Sequence, residues 1–301
     1  MSCAMATALG TMAMPSVTQA QDIEPRAFAN TPVGVNFLVG GYAFTRGSLS
    51  FDPAVPVSDA QLETSSLVLA YARSFDLWGM SAKFDAIAPF SWLSGTANFA
   101  GQPVERSVSG FGDPRFRVSV NLLGAPALTL EEFAAFQQNL IVGASVQVSV
   151  PMGQYDSARA VNLGTNRWFV KPELGVSQRF GPLTLEATAA ATFFTENANF
   201  LGGSRRTQEP IYSFQGHAIY SFRSGIWGSL DVTYFTGGRT SIDGEANDDV
   251  LRNWRMGATV SFPVSSHYSI RLYGSHGVAA RTRNNYDLLG IALQYRWGGG
   301  L

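Results

Sequence analysis

Along residues 252–262, Trp254, Met256, Ala258, Val260 and Phe262 alternate with Arg255, Gly257, Thr259 and Ser261. A period of two sends successive side chains to opposite faces, so the stretch predicts a strand with one apolar face, and no helical period fits it. In a soluble sandwich that face would meet a second sheet, whereas in a membrane barrel it would meet lipid while the polar face lined a lumen.

Strand-like segments recur at 32–45, 64–75, 80–93, 114–123, 139–151, 166–179, 183–195, 210–223, 226–236, 252–264, 267–277 and 286–297. Each has the roughly 9–11 residues or more that a tilted transmembrane strand needs. The links between them alternate in length. Short turns fall at 76–79, 180–182, 223–225 and 264–266, and long polar links at 46–63, 94–112, 152–165, 196–209 and 237–251. Short periplasmic turns and long outer loops produce this alternation, and Greek-key sandwiches do not. The expected fold is therefore all-β: an antiparallel transmembrane β-barrel of about twelve strands over 32–301, with a lead segment at 21–31. Two links depart from the scheme. Residues 129–136 read as a short capped amphipathic helix at the periplasmic rim, with Thr129 three residues before Glu132, and the last outer link, 278–285, is only moderately long.

Aromatic belts belong at strand ends. With the first strand running outward, Trp92, Trp168 and Trp254 fall at the outer rim, and Trp78, Trp227 and Trp297 at the periplasmic rim. Trp227 breaks parity, because Ile226, Leu230, Val232 and Tyr234 mark the lipid face of its strand.

Composition agrees with a membrane barrel. Charged residues make up 14% of the 301-residue chain, aromatics 12%, and glycine numbers 31, against roughly 25% charged residues in soluble domains. A net charge of −1 without a basic block argues against nucleic-acid partners. Residues 1–20 are small and apolar and end in Thr18-Gln19-Ala20, as a secretory leader would, although no basic residue opens them. Cleavage near Ala20 would deliver the chain to the outer membrane and remove Cys3, the lone cysteine, which excludes a disulfide framework. No later apolar run reaches the roughly 18–20 residues of a membrane helix.

Parity assigns an inward set: Lys83, Asp85, Arg115, Arg117, Gln147, Arg167, Lys171, Glu173, Glu186, Gln215, His217, Asp231, Arg255, Arg271, Gln294 and Arg296. Against lipid each Arg or Lys would cost about 2–4 kcal/mol at the midplane, so these side chains must face water or one another. They either line a selective lumen or form paired ladders that fill a narrow one. About twelve strands lie between the filled eight-stranded barrel and the open sixteen-stranded one.

Three features carry candidate chemistry. A tight turn sets His217 opposite Asp231 with Ser213 and Ser229 on the same faces, which admits a Ser-His-Asp reading but without a nucleophile elbow. The acidic loop Asp243-Gly-Glu245-Ala-Asn247-Asp248-Asp249 lacks EF-hand spacing and reads as solvated. Gly110-Phe-Gly112 lacks the third glycine and the helix of a dinucleotide site, and reads as turn chemistry. No cofactor, metal ligand or catalytic residue is expected.

Gly110-Phe-Gly112-Asp113-Pro114-Arg115, the run from Asn162 to Trp168 leading into Lys171-Pro172-Glu173, and the ending Gln294-Tyr-Arg296-Trp297-Gly-Gly-Gly resemble the outer-membrane family named for the meta-pathway of phenol degradation. The resemblance covers about residues 23–301. It implies an outer-membrane transporter for passive uptake of small organic solutes, aromatic or hydrophobic, with outer-membrane lipid and the barrel-assembly machinery as partners. Here Trp297 is followed by Gly298-Gly-Gly-Leu301, so the aromatic end signal read by that machinery would come from Tyr295 and Trp297. Two other expectations compete: a hydrolytic or lipid-modifying barrel built on His217, and a structural barrel plugged by its long loops or by the segment before Pro32.

Overall fold

The computed structural model describes residues 23–47, 57–99, 102–159, 161–222, 225–281 and 285–301; the expected leader and Cys3 lie outside them. The strands are β1 Val35–Gly47, β2 Val57–Leu77, β3 Met80–Phe99, β4 Gln102–Phe111, β5 Arg115–Leu123, β6 Leu140–Ser149, β7 Phe169–Phe180 and β8 Leu183–Phe194. They continue as β9 Asn197–Phe200, β10 Ser204–Gln208, β11 Ile211–Ser221, β12 Trp227–Gly237, β13 Thr240–Ile242, β14 Glu245–Ala246, β15 Leu251–Pro263, β16 Tyr268–Ala280 and β17 Tyr286–Gly298. One helix, α1 Leu130–Ala135, interrupts them.

Each barrel strand pairs antiparallel with its sequence neighbour. β17 then pairs back onto β1, from Val35 opposite Gly298 to Gly47 opposite Tyr286. The order β1-β2-β3-β5-β6-β7-β8-β11-β12-β15-β16-β17 therefore closes a twelve-stranded barrel. Closure pairs every edge, the condition for crossing a bilayer with strands. Among the described residues no helix is long and apolar enough to span a membrane.

Outward positions carry Leu69, Leu174, Leu230 and Leu289, each 58–70% exposed, within an apolar band that continues around the strands. An exposed apolar surface of that extent is a lipid-facing one. The pattern of Trp254, Met256 and Phe262 on β15 is one stave of it, all three exposed.

The long links are more ordered than their composition suggests. Within the 94–112 link β4 pairs with the outer half of β3 while β5 pairs with its inner half, so β4 and β5 are one course broken at Gly112-Asp113-Pro114. The links after β8 and β12 join in a second sheet, β14-β13-β10-β9. At the short-turn end, Thr129 caps α1 in the expected capping box. Ala127 N donates to Gly79 O at 2.9 Å and Val33 N to Leu128 O at 2.8 Å, tying α1's approach to the β2–β3 turn and to the chain entering β1.

Candidate functional site

Residues 23–31 run inside the barrel. Glu24, Ala27, Phe28, Ala29, Asn30 and Thr31 are all buried, although no strand or helix contains them. The ring of Phe28 is seated by two glycines that face each other across β6 and β7: a Cβ on Gly143 would lie 2.2 Å from it and one on Gly175 2.1 Å. Only glycine leaves that slot open.

The wall of β3 to β12 grips this segment through its charges. Arg117 pairs with Glu24 and, through Nε, with Asp85 Oδ2 at 3.1 Å. Lys83 Nζ donates to Ala27 O at 2.8 Å, Glu24 N to Gln215 Oε1 at 3.1 Å and Arg26 N to Glu186 Oε2 at 2.6 Å. Ser177 Oγ donates to the other oxygen of Glu186 at 2.9 Å, and Lys171 pairs with Glu173 at 3.4 Å. Paired groups of this kind escape the cost of a lone buried charge.

The opposite wall is apolar. Val35, Phe37, Val39, Val68, Ala70, Ala72, Ile87 and Ala292 form one buried cluster on the lumen side of β1, β2, β3 and β17, against which Tyr273 and Leu301 pack. Sequence parity did not reveal this half, because on β1 and β2 both faces are largely apolar and alternation alone does not say which one meets lipid.

Of the expected lining residues, Lys83, Asp85, Arg115, Arg117, Lys171, Glu173, Glu186, His217, Asp231 and Arg255 are buried on the inward face. Arg271 is half-buried, its guanidinium 5.5 Å from the Trp227 ring. Arg296 departs from the expectation: its Nε donates to Ser266 O at 2.6 Å and so braces the β15–β16 turn at the rim. Trp227 departs too. It is 1% exposed and points inward, with the guanidinium of Arg26 5.1 Å and that of Arg271 5.5 Å from its ring. Its parity was right and its assignment to the periplasmic belt was not. Trp92, Trp168 and Trp254 are exposed at the long-loop ends of their strands, Trp78 lies in the β2–β3 turn, and Trp297 stacks on Tyr295 at 5.3 Å.

His217 Nδ1 lies 2.8 Å from Asp231 Oδ1, but Ser229 Oγ donates to Asp231 Oδ2 at 3.0 Å, on the acid's side of the dyad. Among the described residues His217 Nε2, where a nucleophile would have to stand, has no hydrogen-bond partner. Three acids of the 243–249 loop are engaged singly: Asp249 accepts from Thr240, Asp243 accepts from Arg205 N at 2.8 Å, and Asp248 pairs with Arg281 at 2.7 Å. Hydrogen bonding to Arg281 and its charge hold Asp248 below the usual carboxylate range. Among the described residues no group of acids and histidines is placed to hold a metal.

The Gly110 to Arg115 motif has a mechanical role. Asp113 Oδ1 accepts from Gly153 N at 2.8 Å, and Oδ2 accepts from Thr165 N at 2.8 Å and from Thr165 Oγ1 at 2.7 Å. One carboxylate thus ties the long link after β6 to the break between β4 and β5.

Comparison with known proteins agrees with the geometry. The family model described as "Putative MetA-pathway of phenol degradation" matches residues 46–296. A COG4313 outer membrane channel from Pseudomonas putida F1 superposes with a TM-score of 0.75 at 21% identity, over 89% of this chain and 97% of that one. The transport unit of the autotransporter AIDA-I from Escherichia coli gives 0.49 at 7% identity, over 88% and 90% of the two chains. The KdgM porin bound to oligogalacturonate gives 0.45 at 8%, over 86% and 98%. No curated protein matches the sequence. The first of these likenesses shows the fold.

Proposed function

We propose that this chain, which belongs to the family described by the MetA-pathway of phenol degradation, forms an outer-membrane route for small organic solutes that its own residues 23–31 close from within. The observation that carries the reading is the apolar strip from Val35 to Ala292 on the lumen side. A lumen built only for water and ions gains nothing from inward Val, Ala and Phe, whereas a solute with apolar surface gains about 25 cal/mol for each Å² it buries there. The opposite wall holds the internal segment by hydrogen bonds and ion pairs, contacts that water can replace when the segment withdraws. The chain would reach the membrane behind a leader cleaved near Ala20 and be inserted by the barrel-assembly machinery. No step in this reading is catalytic.

Porin-deficient Gram-negative cells expressing the full chain are the test. Uptake of labelled 2-phenylethanol should rise above that of cells without the barrel, and an unchanged rate would contradict the route. A plugged structural barrel is favoured by the number of bonds on residues 23–31, and it predicts that unchanged rate.

A further inference from the structure

The β15–β16 register shifts between Trp254 and Arg255: Trp254 stands opposite Ala279 and Arg255 opposite Gly277. The extra residue of this bulge is Val278 on β16, and β15 runs through it unbroken. Arg255 itself stands on the inward face by the alternation of β15, in the outer part of the lumen, 2% exposed, with its guanidinium 3.7 Å from the centroid of the Tyr286 ring. Nη2 donates to Ser275 Oγ at 2.7 Å and to Tyr286 O at 3.2 Å. Among the described residues Nε and Nη1 have no acceptor.

The contrast with the ion-paired inward cations marks Arg255; Arg271, also without a carboxylate among the described residues, lies against Trp227 instead. Arg117 and Lys171 each face a carboxylate of the chain, while Arg255 has none among the described residues. Two neighbours share its condition. Thr233, directly opposite Arg255 in the β12–β15 register, has an unpartnered hydroxyl, and Asn253, next along the inward face of β15, has an unpartnered Nδ2. A buried donor without an acceptor loses its hydration uncompensated, and a buried cation without an anion loses more. Three residues of one wall, on β12 and β15, therefore present donors of the same sense. One step farther out on that face, Ile211, Phe235 and Leu251 form a separate buried apolar cluster.

We infer that Arg255 is a carboxylate-recognition site and that the solutes of this barrel are organic acids with an apolar body. The carboxylate accepts from a guanidinium N–H of Arg255 that the described residues leave unused, and Thr233 and Asn253 supply further donors. The apolar body lies against Tyr286 and the Phe235 cluster. Arg255 thereby sets specificity, and a neutral amide of the same shape leaves its charge unmatched. This inference rests on the barrel being a solute route.

The probes are benzoate and benzamide, alike in shape and different in charge. In porin-deficient cells the wild-type barrel should raise benzoate uptake more than benzamide uptake. Arg255→Gln should lower benzoate uptake about tenfold, the size expected when a charge-assisted hydrogen bond is lost, and leave benzamide uptake within about twofold. Arg255→Lys should retain part of the preference. On purified wild-type protein, benzoate should raise Tm and benzamide should not, which reads the site even where Arg255→Gln fails to fold. Equal treatment of the two probes by the wild type, in uptake or in Tm, overturns the carboxylate site. Uptake of neither probe overturns the solute route instead.

Discussion

The ring of Phe28 occupies the space where Gly175 would carry a side chain, with its Cε2 2.1 Å from the Cβ position of that glycine. Gly143 shapes the other side of the slot. A side chain at either position and a seated Phe28 are mutually exclusive, so the barrel wall and the internal segment are specified together.

Substituting Gly175 by valine should therefore unseat residues 23–31 without breaking the β6–β7 ladder, since an inward β-branched residue suits a strand. The expected readout is a larger ion conductance with unchanged β-sheet circular dichroism, and Phe28→Ala should give the same phenotype from the other partner.

Glu24→Gln should loosen the same segment by a different route. Removing one partner of a buried ion pair costs about 3–5 kcal/mol, and Arg117 keeps Asp85 at 3.1 Å, which places the effect at the lower end. Hydrogen exchange of the Arg26 and Ala27 amides should accelerate in this variant while exchange in the strands stays slow.

Asp113→Ala removes three hydrogen bonds that hold Gly153 and Thr165. Each bond to a charged group contributes roughly 1.5–3 kcal/mol. The link after β6 should become a site of proteolytic cleavage, with the barrel itself intact, because no barrel pairing depends on this carboxylate.

Trp227 offers a probe that separates wall from lumen. Brominated lipid should quench the fluorescence of Trp92, Trp168 and Trp254, each close to half exposed, and spare Trp227, which is 1% exposed behind the wall. Quenching of a variant whose lone tryptophan is Trp227 would place that ring in the belt after all.

At the rim, the backbone N–H of Thr129 and then its hydroxyl hold Glu132 below the usual carboxylate range. A carboxylate depressed in the folded state stabilises above its unfolded pKa and loses that contribution as pH falls through the folded value. Amide exchange in α1 should accept this sign, with protection constant at neutral pH and falling only in acid, and Glu132→Gln should flatten the dependence.

Much of this molecule was legible in its sequence. Period-two alternation such as that from Trp254 to Phe262 marks the staves, link lengths order them, and the parity of Lys83, Arg117, Glu173 and Asp231 places them inside. The internal segment was legible only as a possibility, because Glu24, Arg26 and Phe28 have no periodicity; their partners lie up to 191 residues away, as for Glu24 and Gln215. The apolar half of the lumen was hidden for the reason that β1 carries Val35, Phe37 and Val39 on one face and Leu38 and Tyr42 on the other. The bulge at Val278, across from Arg255, depends on the pairing partner, which a single strand does not encode.

The most direct measurement is the single-channel conductance of the purified full chain in planar bilayers, set beside that of a variant lacking residues 23–31. The account predicts a small or closed conductance for the full chain and a several-fold larger, steady one for the variant. Equal conductance in the two would contradict closure of the lumen by the chain's own leading segment.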